Sequence, residues 1–207
     1  MTDVQHLGLK LVDGLDLSEP LRAVLRPDEV LVDAQGRTRR LPRFFYEVGS
    51  REKAHELELA PGFHLIELIR TDVREAAVLH GYPRYVPCAI TGLAAHLAVF
   101  REHVGTYVHI AANGGYRSPA HALTDGASPH CWGTAANIFR VGDDRLDTQD
   151  TIERYADRAR EALPAVWVRP HGYAPGFADD HLHLDLGYTV TVPREAPGLD
   201  AAEQDHS

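Results

Sequence analysis

Apolar positions along the chain follow two periods. Between residues 89 and 104, Ile90, Leu93, Leu97, Phe100 and Val104 recur at steps of three and four. That stripe predicts a helix, with Gly105 in the usual C-terminal role. Residues 107–112 read as a strand with Val108 and Ile110 on one face, closed by a turn at Asn113-Gly114-Gly115. A second helix is expected over 151–163, with Asp150 as its cap and Glu153 at the capping-box position. Strict alternation appears over 181–186. There Leu182, Leu184 and Leu186 share one face of a strand, and His181, His183 and Asp185 share the other. One face can bury against helices while the other lines a polar site. Residues 165–169 are a shorter strand candidate. Near the start, 29–33 and 37–41 flank Asp33-Ala-Gln-Gly36 and predict a β-hairpin.

Helices and short strands alternate without regular strand–helix–strand repeats. The expectation is an α+β fold, a small antiparallel sheet flanked by helices. Pro61-Gly62 marks a break. Residues 1–60 then form an N-terminal extension whose hairpin packs on the main domain, 61–192 the main domain, and 193–207 a disordered tail rich in Pro, Ala and acid.

Composition narrows the function classes. The chain has 207 residues, 44% hydrophobic and 25% charged, enough for one globular domain with an extension. A net charge of -9 speaks against nucleic acid or an anionic membrane as partner. No apolar run reaches bilayer length, and no signal-peptide core follows Met1, so a cytoplasmic protein without a membrane partner is expected. Cys88 and Cys131 form no Cys-x-x-Cys pair and read as reduced thiols. Gly114-Gly115 and Gly126 lack the lysine and hydroxyl of a phosphate loop, and there is no Gly-x-Ser-x-Gly elbow.

The 13 histidines change the picture, because some lie among aspartates. In Ser128-Pro-His-Cys-Trp-Gly-Thr-Ala-Ala-Asn137, a second donor follows His130 seven residues on, and Gly133, Ala135 and Ala136 permit a tight path between them. His183 on the polar face of its strand supplies a third. Spacing alone leaves two readings: a zinc-type site with an open position, or histidines bonded to backbone groups. His121 reads as a surface residue, with lining of the groove as the alternative, and His171 as a substrate contact or part of a turn.

The ordered set Gly115-Tyr-Arg-Ser-Pro-Ala120, Ser128-x-His130-x-x-Gly133-x-Ala135-x-Asn137 and His183-Leu-Asp185 resembles the zinc D-alanyl-D-alanine carboxypeptidase and L-alanyl-D-glutamate endopeptidase family, which shares its fold with the hedgehog signalling domain. Phe63-His-Leu-Ile-Glu67 is similar to the segment that opens the smaller peptidases, and 87–104 to their first long helix. The likeness spans about residues 63–188. It implies Zn2+ on His130, Asn137 and His183, and substrate held by Arg117 and Ser128. It also implies a general base at Asp180 or His181. Asp180 serves only from a turn before the strand, which Gly176 and Asp179-Asp180 allow. Asp185 is a candidate either to hold a ligand histidine from behind or to pair with an arginine at the strand end.

The departure is Asn137, where active members carry aspartate. A neutral amide is a poorer zinc donor than a carboxylate, and a Cys131 thiolate is an alternative donor. Three functions follow as expectations. The first is a metallopeptidase cleaving an amide bond in a peptidoglycan-type or other D-amino-acid peptide. The second is a non-catalytic relative binding a peptide or partner. The third is a repurposed metalloenzyme acting on a small molecule.

Overall fold

The computed structural model describes residues 7–173 and 179–194. It is an α+β fold, with small antiparallel sheets and, among the described residues, five α-helices. The first strands are β1 (Lys10–Asp13), the hairpin β2 (Val30–Val32) and β3 (Thr38–Arg40), and β4 (Phe44–Val48). Helix α1 (Glu19–Leu25) lies between β1 and β2. The hairpin forms where turn chemistry placed it, as Asp33 accepts from the backbone of Gln35 and Arg37 at 3.0 and 2.9 Å.

Helix α2 (Arg51–Glu56), the short pair β5 (Glu58–Ala60) and β6 (Phe63–His64), helix α3 (Leu65–Ile69) and β7 (Arg84–Pro87) follow. A three-stranded sheet has the order β1-β4-β7. The N-terminal segment therefore pairs with residues beyond the break at Pro61-Gly62: Tyr46 sits opposite Val86.

Helix α4 (Ile90–Val104) runs through the core, with Ile90, Leu93, Leu97 and Phe100 almost fully buried. Each such side chain removed from water contributes about 1.5–3 kcal/mol. Gly105 ends the helix in the left-handed conformation. The main sheet holds β8 (Val108–Ile110), β9 (Ala135–Val141), β10 (Asp144–Arg145), β11 (Trp167–Val168) and β12 (Leu182–Asp185), with β9 at its centre. Helix α5 (Gln149–Ala162) packs on α4 and the sheet.

Two local expectations are corrected. Helix α5 starts at Gln149, capped by Thr148 rather than Asp150: Thr148 Oγ1 accepts from Thr151 N at 3.3 Å, and Thr151 Oγ1 from Thr148 N at 3.3 Å. Glu153 instead accepts from Gln149 Nε2 at 2.8 Å. The strand expected over 165–169 shrinks to Trp167–Val168, because Val166 N turns back to Leu163 O at 3.0 Å. Gly176 and, from residue 195 on, the expected tail lie outside the described residues. No helix of the described residues is long and apolar enough to cross a membrane.

Candidate functional site

The site is built on a loop forced against a neighbouring backbone. After β8 the chain turns at Asn113, which adopts φ 62. The Asn113 side-chain oxygen accepts from Asp72 N at 3.0 Å and lies 3.0 Å from His121 Nε2. A Cβ on Gly115 would overlap the main chain of Leu68, so only glycine fits there. Tyr116 N then donates to Leu68 O at 2.7 Å, and Arg117 N to His130 O at 3.3 Å.

His130 sits on a single 3-10 turn, Pro129–Trp132, that stops at Gly133 with φ 69. Trp132 anchors this turn: its ring is fully buried, and Nε1 donates to Arg40 O at 3.0 Å. His130 is itself buried, and its Nδ1 lies 2.8 Å from Gly115 O. Burial, with the nearby Arg117 and His183, drives its pKa well below the ordinary histidine value, although the bond to Gly115 acts the other way. The ring is therefore neutral. A carbonyl only accepts, so Nδ1 carries the proton and Nε2 the lone pair.

Asn137 and His183 are direct partners across the β9–β12 ladder. Alternation along β12 sends Leu182 and Leu184 into the core, and His183 toward His130, with ring centroids 5.3 Å apart. His183 Nε2 lies 3.0 Å from Asp185 Oδ2, and Nδ1 lies 2.8 Å from Asn137 Oδ1. Burial lowers the His183 pKa against the opposing pull of Asp185. In a neutral ring the proton belongs on Nε2, facing the carboxylate, which leaves the Nδ1 lone pair toward Asn137. Two acceptors then face each other. Either the Asn137 amide turns its NH2 to the ring, or a cation joins the pair.

His183 thus lies beside both Asn137 and the His130 ring. Both imidazoles have the neutral tautomer a metal needs, each fixed by an acceptor on its far nitrogen. This nitrogen–oxygen set suits zinc, but it carries no negative charge and holds a cation less strongly than a set with a carboxylate. Among the described residues, no group of three or more His, Cys, Asp or Glu side chains is placed to hold an ion. Asn137 is not among those residue types.

Comparison with protein-family models, with curated proteins and with solved structures gives no match.

Arg117 is buried, its Nε has no partner, and it makes no ion pair among the described residues. Burial works against its charge, offset in part by the neighbouring Glu75. Such a guanidinium is a ready receptor for a carboxylate. Ser128 is half-buried and precedes the 3-10 turn, its carbonyl accepting from Cys131 N at 2.9 Å. Asp180 lies just before β12, its Oδ1 2.6 Å from His181 Nδ1, while His181 Nε2 lies 3.3 Å from Arg169 Nη2. Burial lowers the His181 pKa, so the ring is neutral and able to take up a proton. The half-exposed Trp167 ring meets His183 edge-on at 5.8 Å and Tyr173 at 5.3 Å. His171 is 3.8 Å from Asp179.

Two readings change. Cys131 packs with Leu31, Leu41, Ala127 and Trp132, and burial pushes its thiol up to about 12, so it is not a thiolate donor. His121 is buried rather than on the surface. One residue was missed. Glu75 is a buried carboxylate that accepts from Ser118 Oγ at 2.5 Å and from Ser118 N at 3.2 Å, fixing the segment after Arg117. No local signal in Thr71-Asp-Val-Arg-Glu75 marks it.

Proposed function

We propose that this chain is a metal-dependent amide hydrolase of the D-alanyl-D-alanine peptidase type on a hedgehog-like scaffold. Its substrate would be a peptidoglycan-type or other D-amino-acid peptide. The observation that carries the reading is the pair of neutral histidines, His130 locked by Gly115 O and His183 by Asp185, beside Asn137. His130, His183 and Asn137 would hold the ion, with Zn2+ the first choice. When bound, the metal supplies positive charge that polarises the scissile carbonyl.

The remaining work falls to the protein. Arg117 binds a substrate carboxylate or carbonyl, since its charge is desolvated and unpaired. Ser128 borders the substrate end. Asp180 holds Nδ1–H of His181, and the Nε2 lone pair, which accepts from Arg169 Nη2 at 3.3 Å, becomes the general base for attacking water once substrate draws Arg169 aside. Asp185 keeps His183 oriented.

The test is metal content in tag-free protein, with hydrolysis of D-Ala-D-Ala and L-Ala-D-Glu peptides. Stoichiometric zinc and turnover, both lost in His183→Ala, are expected. A metal-free wild type that turns over no peptide removes this reading.

A second reading, a metal-free peptide- or partner-binding relative, is favoured by the Asn137–His183 contact at 2.8 Å. An asparagine turned to donate satisfies the His183 lone pair with no cation, which an ionised aspartate cannot do. Saturable peptide binding without turnover, by protein lacking metal, would select it.

A further inference from the structure

A cleft of about 680 Å³ lies between α2, the segment leaving α3, β7 and the β8–β9 pair, and none of the residues assigned above lines it. Its walls carry three arginines, Arg51, Arg70 and Arg84, with four histidines and a single acidic residue, Glu67. This cationic lining sits in a chain of net charge -9.

The arginines are not neutralised by the protein. Among the described residues none of the three forms an ion pair with a carboxylate, as the salt bridges involve other arginines. Arg84 Nη1 donates to Ile69 O at 2.7 Å, Arg70 Nη2 to Ile110 O at 3.4 Å, and Arg51 Nε faces His55 Nε2 at 3.4 Å. Arg84 Nη1 also reaches Thr71 Oγ1 at 3.5 Å. All these partners are neutral, so the charges stand. Glu67 is already engaged: Oε1 accepts from His64 N at 2.9 Å, and Oε2 lies 3.9 Å from Arg101. One buried nitrogen of a lining residue, Arg84 Nε, has no partner. Unpaired desolvated donors are costly, and an anionic ligand would offset that cost.

We propose that this cleft binds a small molecule bearing a phosphoryl group. One guanidinium neutralises a carboxylate, whereas three call for a multiply charged anion. A phosphoryl group carries about two negative charges near neutral pH and presents three strong acceptor oxygens. Guanidiniums reaching in from three elements suit that shape. Tyr82, whose ring centroid is 5.5 Å from Arg84, and Phe139 give the rest of the ligand an aromatic wall. The volume is that of a small-molecule site. A nucleic acid would need an extended basic face, against the overall charge.

The test is calorimetric titration of the full chain, in EDTA to keep the metal site out of the reading, with inorganic pyrophosphate as the probe and citrate as a polycarboxylate control. Expected is saturable 1:1 binding of pyrophosphate, weaker for citrate, that declines with salt and weakens by about ten-fold or more in Arg51→Gln and in Arg70→Gln. Arg51 is exposed, so its removal leaves the fold intact, and thermal melts of both variants check this. Arg84 is left in place because it anchors Ile69 O. No saturable binding, unchanged affinity in folded Arg51→Gln, or preference for citrate would each overturn the proposal.

Discussion

Asn137 Oδ1 and His183 Nδ1 face each other 2.8 Å apart across the β9–β12 ladder, with Asp185 on the opposite nitrogen of the ring. The replacement Asn137→Asp would place a carboxylate on each side of one imidazole. In EDTA the His183 pKa should then rise from its lowered wild-type position, because both carboxylates favour the imidazolium. With metal supplied, zinc should bind at least about ten-fold more tightly, since the third donor gains charge. NMR titration of the imidazole and competition with a zinc chelator read the two effects. An unmoved His183 titration would mean that the side chain at 137 does not meet the ring.

Burial of His130 also ties stability to pH. The unfolded ring titrates near 6.5, while the folded ring titrates well below it. As pH falls through 6.5 the unfolded chain binds a proton that the folded chain refuses. The stability contribution is therefore complete above that pH and is lost on acidification, by about 1.4 kcal/mol per pH unit until the folded pKa is reached. Urea unfolding in EDTA at pH 7 and pH 5.5 should show this loss. It should be smaller in His130→Asn, whose amide can still donate to Gly115 O. Equal losses in the two proteins would argue against a buried neutral ring.

Legibility in the sequence followed the range of the interactions. Helix α4 was readable because its stripe persists over four turns, and β12 because polar and apolar residues alternate without a break. The cap of α5 was misread because Thr148 and Asp150 are both good caps two residues apart, and a reciprocal Thr148–Thr151 bond decides between them. The β1-β4-β7 sheet left no local trace, since it joins segments some forty residues apart along the chain. At the site, the order of motifs singled out His130, Asn137 and His183, and His183 lies beside both of the others. Glu75 and the cationic cleft were hidden because each is assembled from residues that look like ordinary surface charge until the chain folds.

Glu75 offers a separate check on how Arg117 is held. Its carboxylate takes both the hydroxyl and the amide of Ser118, next in sequence to Arg117, in a buried setting. Charge-assisted bonds of this kind are worth about 1.5–3 kcal/mol. The variants Glu75→Gln and Ser118→Ala should each destabilise the protein, and the double mutant should lose less than the sum. A coupling of about 1 kcal/mol or more is expected from a urea-unfolding cycle. Strict additivity would show that the contact does no work in the folded state.

Gly115 and Gly36 separate crowding from backbone conformation. Gly36 has φ 75 but open space around the position of a Cβ, so Gly36→Ala meets only left-handed strain of about 1–2 kcal/mol. Gly115 has no such φ, yet an added methyl would run into the Leu68 main chain, which cannot rotate aside as a side chain can. Relief requires moving the loop that gives His130 its Gly115 acceptor and leads directly into Arg117. Gly115→Ala should therefore cost more than Gly36→Ala, about 3 kcal/mol or above, which is the upper range for overpacking. It should also lower zinc uptake, because His130 loses the partner that fixes its tautomer, whereas Gly36→Ala should leave uptake unchanged. Urea unfolding and zinc titration of the two variants test the ranking. A Gly115→Ala protein as stable as Gly36→Ala would mean that the Leu68–Gly115 approach is loose, and that the loop does not set the position of His130.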